Sequence, residues 1–135
     1  MVNVIFPDIE KVLVGALKTA IDARPESYAQ DVVISTIKPS PEVSPYPSRI
    51  ITIRGDGGPE LDYVRKQERV GITIWADTYS DASNLARLVE ALVKGLTGEY
   101  IKLIDINLSP VRIDEAGPQE CRYITIQCIT KGTAL

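Results

Sequence analysis

Apolar residues recur along two stretches of the chain at the spacing of a single buried helical face. Ile9, Val12, Leu13, Ala16, Leu17, Ala20 and Ile21 follow the i, i+3, i+4, i+7 pattern. Asp8, after Pro7, is placed to cap this helix, and Pro25 marks its end. A second stripe, Ala82, Leu85, Ala86, Val89, Leu92, Val93 and Leu96, predicts a helix that starts near Ser80 and is closed by Gly98. Elsewhere the period changes to two. Residues 31–37, 49–54, 68–76, 101–108 and 120–130 are rich in β-branched side chains and predict strands. In 68–76, Val70, Ile72, Ile74 and Ala76 share one face, and Arg69, Gly71, Thr73 and Trp75 the other. In 120–130, Arg122, Ile124, Ile126 and Cys128 oppose Tyr123, Thr125, Gln127 and Ile129. The order α-β-β-β-α-β-β predicts an α+β fold: a single domain over 1–135, with a mainly antiparallel sheet of about five strands and two helices packed on one face.

Two connections are predicted to project, 38–48 and 54–67. The first contains PSPEVSPYPS, whose prolines at 39, 41, 45 and 47 make it stiff and poor in backbone donors. It reads as a surface connector, or as a semi-rigid arm lying against a neighbouring subunit. The second is longer than an ordinary hairpin loop and begins with RGDGG, residues 54–58. An adhesion tripeptide needs an extracellular protein. A phosphate cradle needs a strand, a glycine turn and then a helix, whereas Pro59, a charged stretch and another strand follow here. Backbone freedom at Gly55, Gly57 and Gly58 accounts for the motif as the base of a loop.

Composition narrows the chemistry. The 135 residues are 44% apolar and 24% charged with net charge −3, ordinary for a globular domain and without electrostatic attraction to nucleic acid or an anionic membrane. No apolar run reaches a membrane span. The start, Met-Val-Asn-Val-Ile-Phe-Pro-Asp, lacks a secretory pattern, so an intracellular origin with free thiols is expected. Cys121 and Cys128 lie an odd step apart in one predicted strand, on opposite faces and roughly 23 Å apart, too far for a disulfide. The absence of histidine removes triads and zinc sites in their usual forms.

The remaining candidates are modest. Asp56, Glu60 and Asp62 form either a hard-cation cluster or a solvated mixed-charge loop with Arg54, Arg65, Lys66 and Arg69. Asp114-Glu115 reads as turn chemistry before Gly117-Pro118, and Trp75 as a core or interface aromatic. Leu88, Ala91 and Gly95 form a minor stripe on the second helix, suited to a second chain or to extra burial within the monomer. No catalytic, cofactor-binding or metal-binding constellation emerges.

The stretch from residue 49 onward resembles the tail terminator, or tail completion, proteins of long-tailed bacteriophages, particularly those of actinobacteria. The likeness rests on a strand ending Arg54-x-x-Gly57-Gly58, a charged loop, a strand ending Trp75-Ala76 and a helix opening Asp81-Ala82-x-x-Leu85-Ala86. It departs from the pattern where both Gly55 and Asp56 precede the glycine pair, and in its proline-rich arm. The resemblance implies a non-enzymatic virion protein, made in the host bacterial cytoplasm. It would form a homo-oligomeric, hexameric ring on the head-proximal end of the tail tube, stop tube polymerisation and dock the neck. The implied partners are the tail tube protein and a neck or head-completion protein, with genome DNA passing the lumen without specific binding and no membrane or cofactor involved. Arg54, Asp56, Asp62, Arg65 and Arg69 on the long loop, and Tyr46 on the proline arm, are the expected interface residues. The alternatives are another head–tail joining protein, such as a neck or stopper component, or a small cytoplasmic α+β ligand-binding domain or enzyme. An apolar pocket with convergent carboxylates would favour the last of these.

Overall fold

The computed structural model describes residues 3–115 and 117–135. Met1 and Val2, the start of the stretch read against a secretory signal, lie outside the described residues, as does Ala116. Two helices, α1 (Ile9–Asp22) and α2 (Tyr79–Val93), pack on one face of a five-stranded sheet. The sheet holds β2 (Val33–Ser35), β3 (Arg49–Gly57), β4 (Arg65–Ala76), β5 (Ile101–Ile113) and β6 (Glu120–Lys131), in the spatial order β2-β3-β4-β6-β5. All neighbours are antiparallel except β2 and β3. This is the expected α+β architecture, with one parallel pair added. Two short strands that periodicity could not flag, β1 (Val4–Ile5) and β7 (Thr133–Ala134), pair as a separate ribbon.

The alternation of β4 and β6 holds as predicted. Val70, Ile72, Ile74, Ile124, Ile126 and Cys128 meet Leu13, Leu17, Ile21, Leu85, Val89 and Val93 in one core. Burying each large aliphatic side chain there contributes about 1.5–3 kcal/mol. Asp8 caps α1 by accepting the Lys11 N–H at 3.3 Å. Thr78 caps α2 by accepting the Asp81 N–H at 3.1 Å. Gly98 does not close α2. The helix stops at Val93 with Lys94 still right-handed, and Gly98 instead donates its N–H to the Ile101 carbonyl at the entry to β5. Of the minor stripe, Leu88 packs against the core while Ala91 and Gly95 remain exposed.

Among the described residues, no helix lies over the opposite face of the sheet. One end carries a small second core of Ile50, Trp75 and Cys121 with Tyr46 packed against it. The sheet is therefore bipolar along its strands. β4 spans roughly 40 Å at 3.3 Å per residue. The β3–β4 hairpin tip and the β1–β7 ribbon lie at one pole, where the Gly132 N–H donates to the Val64 carbonyl. Trp75 and the start of α2 lie at the other.

Candidate functional site

RGDG, residues 54–57, is strand, and only Gly58 of RGDGG remains in the connection. β3 continues through Gly57 and β4 starts at Arg65, so the projecting 54–67 connection narrows to residues 58–64. Each glycine answers a separate constraint. The Gly55 N–H donates to Glu10 Oε2 at 2.8 Å, fastening the hairpin to α1. The register shifts between Gly55 and Gly57, with Gly57 at φ +74°, so Asp56 is the extra residue of a bulge. At Gly58 a Cβ would fall 2.0 Å from the Gln67 carbonyl oxygen, which only glycine avoids.

The expected interface residues divide into three groups. Arg54 and Asp56 pair with each other at 3.2 Å, with the arginine side chain 83% exposed on the uncovered face. Arg69 is exposed beside Gln127 on that face. Asp62 and Arg65 are exposed partners within the tip. Asp62 Oδ1 accepts the Val64 and Arg65 N–H groups at 3.0 and 2.8 Å, and its Oδ2 meets Arg65 Nε at 2.7 Å. The Arg65 guanidinium first, and the Val64 N–H next, hold the Asp62 carboxyl below the usual carboxylate range. Glu60 bridges to Lys66 across the hairpin. Asp56, Glu60 and Asp62 thus do not converge, and among the described residues no three His, Cys, Asp or Glu side chains are placed to hold a metal ion.

Tyr46 does not project. Its hydroxyl donates to the Pro39 carbonyl at 3.0 Å and its ring packs on the second core, so the proline arm folds back onto its own sheet. The reason is topological: β2 runs parallel to β3, and parallel neighbours cannot be joined by a tight hairpin. The returning chain crosses Trp75. Lys38 Nζ lies 4.5 Å from the indole centroid, and Glu115 accepts the Trp75 Nε1–H at 3.1 Å. Glu115 is therefore more than a turn residue. A recess of about 330 Å³ remains beside these groups, lined also by Pro41, Pro118 and Gln119. Its one carboxylate, Glu115, is already engaged by Trp75 and, at 3.8 Å, by Lys38.

The surfaces that sequence reasoning missed are apolar. Leu61, Tyr63 and Val64 stand exposed on the hairpin tip, on a turn held by Asp62. Leu103, Leu108, Val111 and Ile113 stand exposed along the edge strand β5. They pair with Ile129, Thr125, Tyr123 and Cys121, so all four lie on the uncovered face of the sheet. The strand was expected over 101–108 but runs on through Pro110 to Ile113. An edge strand tolerates that proline, and the register shifts between Leu108 and Val111 to pass it. The alternation of Val111 and Ile113 was the available signal. Compared with models of known protein families and with curated proteins, the chain matches none.

Proposed function

We propose that the chain is a structural virion subunit that assembles into a ring, hexameric by the resemblance, on the head-proximal end of a phage tail tube. There it stops tube growth and offers the docking surface for the neck. A closed ring requires heterologous contacts, in which one surface of a subunit meets a different surface of the next. The observation that carries the reading is a pair of unlike exposed apolar surfaces on one sheet: the tip with Leu61, Tyr63 and Val64, and the strip with Leu103, Leu108, Val111 and Ile113. Apolar side chains grouped in this way mark surfaces that become covered. Further support comes from the resemblance itself. Its Arg54-x-x-Gly57-Gly58 element is the bulged hairpin, and Trp75-Ala76 with Asp81-Ala82 is the strand end and first turn of α2.

Electron microscopy of particles assembled without this protein tests the proposal. Overlong, headless tails beside filled heads are the expected result. Tails of normal length with leaking heads would move the chain to the neck, and intact infectious particles would refute a structural role.

A further inference from the structure

The first turns of α2 and the adjoining ends of β5 and β6 enclose a recess of about 290 Å³ lined by Arg87, Arg112 and Arg122 together with Tyr79, Ser83 and Pro110. Arg112 and Arg122 stand directly opposite each other in the β5–β6 register. Like charges in that relation repel. One carboxylate offsets them: Glu120 Oε1 lies 3.4 Å from Arg112 Nε and 3.3 Å from Arg122 Nη1. The Tyr79 ring takes both guanidinium groups, with centroid distances of 5.5 and 4.8 Å. Arg87 adds a third cation at the exposed rim. Among the described residues, Glu120 is the one carboxylate paired with these three guanidiniums, which leaves a local positive excess on a chain whose net charge is −3.

A second observation concerns Arg122, which lines the same recess. Arg122 is only 5% exposed. Its Nη1 donates to Glu120 and, at 2.9 Å, to the Cys121 carbonyl, but its Nη2 is buried without a hydrogen-bond partner. A buried charged donor left unmade is costly, and an acceptor brought within reach of Nη2 by a small shift of the Arg122 side chain would remove that cost.

We propose that this recess binds a phosphate group. A tetrahedral phosphate offers acceptors in several directions at once and suits the forked donors of three arginines. The Ser83 hydroxyl in the same lining adds a further donor. A carboxylate has two oxygens in one plane and would satisfy fewer of these donors. The phosphate comes free or on a small ester, or from a nucleic-acid backbone, and the recess chemistry is common to both sources. The inference stands independently of the ring reading.

The test is an NMR titration of the full chain with inorganic phosphate at fixed ionic strength, following the arginine Nε–Hε signals. Saturable shifts at Arg87, Arg112 and Arg122 are expected. Arg87→Ala with Arg112→Ala should weaken binding at least about tenfold, equivalent to ~1.4 kcal/mol, with the unfolding midpoint retained. Arg122→Lys, which keeps the charge and removes the fork, should weaken it as well. A short DNA duplex that displaces bound phosphate identifies the backbone as the source, and one that leaves the signals unchanged identifies free phosphate or a small ester. The proposal is overturned if phosphate gives no saturable shift into the tens of millimolar, if acetate acts equally well, or if the double variant binds unchanged.

Discussion

Cys121 and Cys128 occupy opposite faces of β6, one beneath the proline arm and the other under the helices, and both are free and buried. Their separation in the sequence was enough to exclude a disulfide, because a strand alternates its faces whatever packs on them. Their chemistry was not legible, since it depends on what covers each thiol. Burial first, then nearby Glu115, pushes the Cys121 thiol up to about 12, and burial followed by Glu68 does the same for Cys128. The folded chain thus retains two protons that the unfolded chain releases near pH 9. These groups leave stability unchanged below about pH 9 and erode it as the pH rises towards 12, by at most about 1.4 kcal/mol per thiol per pH unit. Denaturant midpoints at pH 8 and pH 10.5 check this. The wild-type chain should lose more stability between them than a Cys121→Ala, Cys128→Ala variant, and equal losses would show that other groups carry the alkaline response.

The elements differ in how strictly their sequences constrain them. The hairpin formed by β3 and β4 depends on Gly58, where the Gln67 backbone leaves no room for a Cβ, while Gly15 in the middle of α1 has open space around it. Gly58→Ala should therefore destabilise by about 1–3 kcal/mol through overpacking against backbone. Gly15→Ala should stabilise by about 0.5–1 kcal/mol by favouring the helix. Urea unfolding of both variants tests the pair, and a neutral Gly58→Ala would mean that the hairpin tip is softer than its hydrogen bonds imply. The helices and the central strands were legible because their apolar period is long and regular. The extension of β3 through RGDG was hidden because its glycines and charges read as a turn. Hydrogen bonding to β4 and the anchor from Glu10 outweigh that local preference.

At the scale of the whole molecule, the exposed apolar tip and the apolar strip on β5 are grouped surfaces on which a second chain would gain by packing. Leu61→Glu with Val64→Glu, or Leu108→Glu with Val111→Glu, should each keep the monomer within about 0.5 kcal/mol of its stability, because all four side chains are surface groups. If the proposed ring role holds, each pair should nevertheless prevent incorporation into particles, read from the protein content of purified virions. Normal incorporation of both pairs would remove these surfaces from the assembly. Charge reversal at Arg65 is a poorer probe, since it breaks the Asp62 turn as well as altering the surface.

Local periodicity determined the two helices, the faces of β4 and β6, the α+β class and the separation of the cysteines, since each follows from the side-chain repeat of a single element. Tertiary structure decided everything that depends on which strands become neighbours. The parallel placement of β2 beside β3 folded the proline arm back over the sheet and half-buried Tyr46. The β5–β6 register brought Arg112 against Arg122 and set both beside Tyr79. The edge position of β5 left its apolar strip uncovered. Such pairings join residues far apart in the chain, and no local repeat encodes them, because register is chosen by the fit of whole faces against one another.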